Sequence, residues 1–431
     1  MGRSAFPLRK RIKKSNQRLQ AIRRVCRTHT QSLLHEGIVM TNDFEVSPET
    51  FCNHPDFHAL PVDNRPLTPP IYQSVKFTIS TFEELKKVFK GEREGYFYSR
   101  AGNPTLRVLE TTLAKLQGTE DGRVLASGIA AITNTLLALL KAGDRFIYFL
   151  ESYGPSRAFT EGMLEKFGVK AIRLSLDDHE GIKRELAVPG TKAVLFEAVT
   201  NPQLKVAPMQ LIAEEAKKHG VMTLLDYTFS GFQAKLPWTF DLYIHSLTKY
   251  AAGHGDVLGG CVLGNETLLK RLDKAFLNIG ATLDPHAAFL IQRGLKTYHL
   301  RRRAQCENAQ KLAEFLEAHK AIESVVYPGL KSHPQHEWFK THFDDFGSIV
   351  FARLKDKKKP IEDVVMRGKL FMMTGSLGST ESLITPALFF YASDLNVKER
   401  EQAGIDGSSI RLSVGIEDFN DLQRDMEFIL S

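Results

Sequence analysis

Lys249 lies in the run His245-Ser246-Leu247-Thr248-Lys249-Tyr250, ahead of glycines at 253, 255, 259 and 260. A lysine amine can condense with an aldehyde, and the hydroxyls of Ser246 and Thr248 can donate to phosphate oxygens. The group such a run would hold is a phosphorylated aldehyde. Upstream, Val221-Met222-Thr223-Leu224-Leu225-Asp226 reads as a buried strand ending in a carboxylate. Ligands of open α/β sheets bind outside those strand ends. An acid there could keep a pyridinium nitrogen protonated, so that the ring draws electrons. A third piece is the short apolar strand at 123–125, which turns at Ser127-Gly128 into an Ala- and Leu-rich helix through Leu140. The first backbone N–H groups, those of Gly128 and Ile129, would meet a phosphate with the helix dipole behind them. Each piece alone has an ordinary reading: a surface lysine beside hydroxyls, a turn-forming acid, a strand–helix junction without a ligand. Together they describe pyridoxal 5'-phosphate (PLP) as the cofactor.

Those residues need a sheet to gather them. Apolar runs at 145–150, 170–176, 193–198 and 221–226 read as strands, alternating with helices such as 208–219. Alternation at this spacing predicts an α/β fold with a mostly parallel sheet. Residues 105–118 read as an amphipathic helix with Leu106, Leu109, Leu113 and Leu116 on one face and Gly118 at its end. Past residue 290 the pattern changes to a long helix, strands near 347–354 and 409–415, and a closing helix at 418–430 that Asp418 can cap. This reads as a smaller α+β domain. The division expected is a basic extension at 1–28, an N-terminal arm at 29–95, a cofactor-binding large domain at 96–290 and a C-terminal domain at 291–431.

Charge is unevenly placed. The chain of 431 residues holds 57 Lys and Arg against 50 Asp and Glu. Ten of the basic residues fall in 1–28, which has no acid, leaving 47 against 50 for the rest. The basicity therefore belongs to the extension, which reads as a solvated tail, an organelle-type presequence or a nucleic-acid arm. Nothing downstream supports nucleic-acid binding. No apolar run is long enough to span a membrane. Cys26, Cys52, Cys261 and Cys306 are scattered, without the spacing of a zinc site or a disulfide framework, which fits a reducing, cytoplasmic setting and no metal.

Further motifs extend the pattern: Pro69-Pro70-Ile71-Tyr72, Tyr98-Ser99-Arg100 with Gly102-Asn103-Pro104-Thr105, Asn201-Pro202, Arg293-Gly294-Leu295-Lys296-Thr297, Ser376-Leu377-Gly378 and Arg411-Leu412-Ser413-Val414-Gly415. From about Pro69 to the end, the chain resembles the cystathionine γ-synthase, cystathionine lyase and methionine γ-lyase family of PLP enzymes. The resemblance implies PLP-dependent fold type I, the aspartate-aminotransferase-like architecture. It also implies roles. Lys249 would carry PLP and later shuttle protons, and Asp226 would face the ring nitrogen. Gly128, Ile129, Ser246 and Thr248 would hold the phosphate. Tyr153 would stack on the ring and help deprotonate the incoming amine, and Asn201 would bond the ring hydroxyl. Arg411 would grip the substrate α-carboxylate, with Ser376 close to it. Tyr98 and Arg100, two apart in what reads as extended chain, would reach the cofactor phosphate of an adjacent subunit in a homodimer or homotetramer.

Four positions depart from the family pattern. Tyr227 stands where Asn is usual after the aspartate. Pro155 stands where methionine γ-lyases carry Cys, which disfavours that activity. Gly375 replaces a frequent Glu, and Thr385-Pro386 replaces His-Pro. All four bear on the substrate rather than on the cofactor. The activity expected is β- or γ-elimination or replacement of the cystathionine γ-synthase or cystathionine lyase type. O-acetyl- or O-succinylhomoserine sulfhydrylase is the alternative, and a PLP-binding protein without turnover is the remote one.

Overall fold

A computed structural model describes residues 64, 66–232 and 236–431. The basic extension and the arm through residue 63 lie outside the described residues. The chain divides into two units, one with Thr78–Gly95 and one with Thr68–Phe77 and Tyr96–Ser431. In the first, a helix spans Phe82–Lys90, opened by the Thr81 hydroxyl and closed by Gly91. It has no buried residue. Its short polar pattern was not among the helices expected from the sequence.

The larger unit holds two sheets. The first has seven strands: β1 (Asp121–Leu125), β2 (Arg145–Phe149), β3 (Lys170–Leu174), β4 (Thr191–Glu197), β5 (Met222–Asp226), β6 (Leu242–Ser246) and β7 (Gly260–Gly264). Their order is β1-β7-β6-β5-β4-β2-β3. The pairs from β6 through β3 are parallel, while β7 runs antiparallel to both of its neighbours. The sheet is thus mostly parallel, as expected, with one reversed strand made from the glycine-rich stretch after Lys249. A second sheet follows in sequence: β8 (Ile322–Val326), β9 (Ile349–Leu354), β10 (Met372–Met373), β11 (Leu383–Pro386) and β12 (Ser409–Ser413), ordered β10-β11-β12-β9-β8. Every strand anticipated from the sequence is present with ends shifted by two residues at most. The long helix is Tyr298–Ala318, and the closing one is Phe419–Leu430 with Asp418 accepting from the Asn420 N–H.

Side-chain alternation covers the first sheet on both faces. Phe146, Tyr148, Leu195, Leu224 and Ile244 join the core that holds Ile132 and Leu136 of the helix Gly128–Leu139. Ile147, Phe149, Phe196 and Leu225 join the opposite core with Ile182 and Ile212. By the same period of two, Glu197, Asp226 and Ser246 end their strands on the side of the helix Gly128–Leu139. Tyr227 falls on the other side. It packs in the core with Tyr243, His245 and Phe343, its ring centroid 6.0, 6.0 and 6.3 Å from theirs. Among the described residues, no helix is long and apolar enough to cross a membrane.

Candidate active site

The loop from β1 to the helix Gly128–Leu139 packs tightly on its neighbours. A Cβ on Gly128 would lie 2.6 Å from the Ser246 Cβ and 2.8 Å from its Oγ. A Cβ on Gly260 would lie 2.1 Å from the Ser127 carbonyl oxygen. Only glycines allow this approach, which sets the helix start directly against the end of β6. Ser127 caps the helix by accepting from the Ala130 N–H at 3.1 Å, leaving the N–H groups of Gly128 and Ile129 available at the dipole's positive end. The Thr248 hydroxyl has work of its own in the fold. It donates to the Gly259 carbonyl at 3.3 Å and accepts from the Gly259 N–H at 3.1 Å, closing the loop to β7.

A chain of bonds runs from β6 to β5. Ser246 N–H donates to Thr228 Oγ1 at 2.8 Å, and Thr228 N–H donates to Asp226 Oδ1 at 3.0 Å. Burial pushes the Asp226 carboxyl above the usual range, and the Thr228 bonds oppose that shift. A cationic ring nitrogen beside Asp226 would favour its ionised form. On the next strand, in register with Asp226, stands Glu197. Its Oε1 accepts from the Tyr153 N–H at 2.5 Å. Burial, then the charge of Asp226, raises its pKa. Tyr153, 45% exposed, opens the helix Gly154–Phe159. Burial raises the pKa of its hydroxyl, with Tyr391, Glu197 and Asp226 adding to the effect. Just past β4, the side-chain oxygen of Asn201 is buried without a partner.

Lys249 leaves β6 by a turn in which its N–H donates to the Ser246 carbonyl at 3.2 Å. Its Nζ donates to Ser376 Oγ at 2.9 Å. Burial and the nearby Arg411 charge lower its pKa to about 8. Ser376 adopts φ of 146°, a region that strains a side-chain-bearing residue. Its carbonyl accepts from Arg411 Nη1 at 2.8 Å.

Arg411 sits in β12, where every residue is buried. The alternation expected there from Leu412 and Val414 is real, yet the opposite face is covered too. Arg411 itself is 1% exposed. Nη1 also donates to Tyr391 Oη at 2.5 Å, but Nε and Nη2 are buried without a partner. Buried guanidinium N–H groups left unmet carry a desolvation cost, and a carboxylate would answer both in the bidentate way that suits arginine. Tyr391 is a member of the site that sequence reasoning missed. It lies in Leu388-Phe389-Phe390-Tyr391, which looks like ordinary core. Glu197 was missed too, although it carries the same signal as Asp226, an acid ending an apolar strand.

The backbone from Tyr98 to Arg100 is not the extended chain expected. The extended chain stops at Tyr98, where a turn closes through Ala101 N–H to the Tyr98 carbonyl at 2.9 Å. The two side chains meet through that turn instead, the Arg100 guanidinium 5.6 Å from the Tyr98 ring centroid. Both are exposed. Arg100 Nη1 donates to the Leu277 carbonyl at 2.9 Å, not to the Lys249 cluster. Of the departing positions, Tyr227 is in the core. Gly375 faces Phe390, whose ring would lie 3.0 Å from a Cβ there. Thr385 pairs in register with Arg411.

The groups present suit PLP: an amine of lowered pKa, a glycine cradle at a helix start, a strand-end acid and an unmet amide oxygen. Gathering such groups at the strand ends of a largely parallel sheet is how fold type I PLP enzymes seat their cofactor, and this protein is one of them. More particularly, it belongs to the Cys/Met metabolism PLP-dependent enzyme family, which matches residues 54–431. It is similar to the L-methionine γ-lyase of Pseudomonas putida, 38% identical over 365 residues that cover 84% of this chain and 92% of that one. Among solved structures, cystathionine γ-synthase of Xanthomonas oryzae pv. oryzae superposes with a TM-score of 0.78 at 34% identity, covering 84% of this chain and 92% of that one. A putative O-acetylhomoserine (thiol)-lyase of Campylobacter jejuni, which carries a pyridoxyl-lysine phosphate, gives 0.80 at 29%, covering 85% and 96%. The protein is thus a PLP-dependent enzyme of sulfur amino-acid metabolism.

Proposed function

We propose that the enzyme removes or replaces the β- or γ-substituent of a sulfur-containing or O-acylated amino acid, in the manner of a cystathionine γ-synthase or cystathionine lyase. The observation that carries this reading is the Arg411 guanidinium, with two buried unmet donors, adjoining the Ser376 that receives Lys249. Arg411 takes the α-carboxylate and so holds Cα within reach of Lys249. Bound PLP supplies the electron sink for the negative charge that develops at Cα. Asp226 holds the proton on the ring nitrogen, with Asn201 at the ring hydroxyl. Gly128, Ile129, Ser246 and Thr248 keep the phosphate in place. Tyr153 covers the ring and takes a proton from the incoming amine. Lys249 Nζ, once free, takes the proton from Cα and returns it toward the departing side. Burial of Lys249 supports this role, because an amine of pKa about 8 both accepts and gives protons near neutrality.

The same reading places the cofactor on residues 96–290, with 291–431 supplying Ser376 and Arg411. It makes the working unit a homodimer, or a tetramer of two dimers, in the cytoplasm. Tyr98 and Arg100 then serve the phosphate of the neighbouring subunit. Steady-state assays test the activity with cystathionine alone, and with O-succinyl- or O-acetylhomoserine plus cysteine or sulfide. Release or capture of a thiol product is the expected result. A protein that holds PLP on Lys249 yet turns over none of these would overturn the reading.

A further inference from the structure

Two carboxyl groups, not one, end adjacent strands beneath the cofactor-binding helix. Glu197 and Asp226 are register partners on β4 and β5, which puts their Cα atoms roughly 5 Å apart. Alternation sends both side chains to the same face. Two carboxylates so close in a buried place cannot both ionise cheaply, so one stays neutral. The hydrogen bonds distinguish them. Asp226 is held by the Thr228 N–H within the chain of bonds that runs to Ser246. Glu197 instead accepts from the main chain of Tyr153.

We infer that Glu197 is a positioning residue of this site: as a neutral acid it anchors the Tyr153 main chain and leaves Asp226 as the single negative charge at the strand ends. This rests on the assignment of Asp226 to the ring nitrogen and Tyr153 to the ring face.

The groups around Glu197 favour that state. Asp226 opposes its ionisation from β5, and Glu151 opposes it from the turn after β2. Arg157, on the helix that Tyr153 opens, is a cation that favours its ionisation. Its guanidinium is already paired with Asp394 at 2.8 and 2.9 Å. Glu151 is engaged by Ser175 Oγ at 3.0 Å and the Leu176 N–H at 3.2 Å. Lys205 lies 3.6 Å from Glu151. Neither Arg157 nor Glu151 is therefore a free partner for Glu197. A neutral Glu197 still accepts from the Tyr153 N–H, so anchoring does not require its charge.

The test compares full-length holoenzymes carrying Glu197→Ala and Glu197→Gln with wild type. Three quantities are read: retention of PLP, the split between kcat and KM, and the absorbance of bound cofactor against pH. Glutamine keeps an acceptor for Tyr153 without an ionisable group. Alanine should cut kcat/KM roughly 10- to 100-fold, because a misplaced ring-covering residue disturbs the reacting geometry, while PLP stays bound. Glutamine should recover most of that loss. Wild type should show an absorbance inflection above neutrality, where Glu197 ionises beside Asp226, and Glu197→Gln should lack it. The glutamine variant is isosteric, so its pH curve reports even where alanine impairs folding. The inference is overturned if glutamine is as damaging as alanine, if alanine has no effect, or if the glutamine curve overlays that of wild type. Failure of borohydride to fix PLP to Lys249 in wild type would overturn the underlying assignment as well.

Discussion

The lysine amine and the arginine fork are the residues whose settings most constrain the chemistry. Lys249 has a pKa near 8 because burial and the Arg411 charge both disfavour its cation. An ordinary lysine titrates at about 10.4. In apoprotein the rate of PLP capture should therefore rise through about pH 8 and then level, because the neutral amine is the nucleophile. Stopped-flow absorbance at increasing pH checks this, and a rate still climbing steeply at pH 10 would contradict it. The same shift affects stability. Below pH 8 the folded apoprotein bears the cost of a buried cation, and that cost is relieved as pH rises from about 8 toward the unfolded value. On the far side of Ser376 from the amine, Arg411→Lys keeps the charge but removes the planar fork. We expect KM to rise and kcat/KM to fall roughly 10- to 100-fold, about the worth of one to two charge-assisted hydrogen bonds, with PLP absorbance retained. Unchanged kcat/KM would reject the anchor. Lys249 and Asp226 were legible in the sequence because their signals are local, a Ser-x-Thr-Lys run and an acid closing an apolar strand. Glu197 carries the second signal too. Only its register beside Asp226 makes it a member of the site, and register is not written in a single strand.

Among the elements, the junction of β1 with the helix Gly128–Leu139 matters most, since it brings two helix-start N–H groups against the end of β6. The space there is too small for any side chain. Gly128→Ala should cost roughly 1–3 kcal/mol, as overpacking does in a well-filled core, and should weaken PLP affinity more than tenfold by pushing Ser246 aside. Thermal unfolding and a PLP titration check both effects. An alanine variant with wild-type stability and affinity would show that the cradle yields easily. The strands around this junction were readable where they were apolar runs, as at β2, β4 and β5. β7 was not, because Gly260-Cys261-Val262-Leu263-Gly264 is short and bounded by glycines that first suggest a loop. Its role as the reversed strand between β1 and β6 comes from pairing on both sides. The turn at Tyr98–Arg100 was likewise misread as extended. Their alternate spacing fits a strand, but the bond from Ala101 to Tyr98 closes a turn, and a cation–π contact then joins the two side chains.

Assembly follows from where those two exposed side chains work. If Arg100 serves a partner's cofactor, Arg100→Ala and Lys249→Ala proteins are each nearly inactive alone. Co-expressed, they should form hybrid dimers in which one site has both an intact Lys249 and an intact partner Arg100. Activity should return toward half that of wild type per hybrid dimer, measured on tagged heterodimers. If Arg100 serves its own chain, every hybrid site lacks one of the two, and mixing restores nothing. The sequence by itself determined the class of fold, the cofactor and the family. These rest on local chemistry and on the alternation of apolar strands with helices, both of which survive being read one segment at a time. Tertiary structure alone decided how the distant pieces meet. Arg411 meets both the Ser376 carbonyl and the Tyr391 hydroxyl through Nη1, with Nε and Nη2 left over. Tyr227 is sent into the core while its neighbour Asp226 stays at the site. Those outcomes depend on register, on which face of a sheet a side chain takes, and on contacts between residues more than a hundred positions apart, such as Lys249 with Ser376.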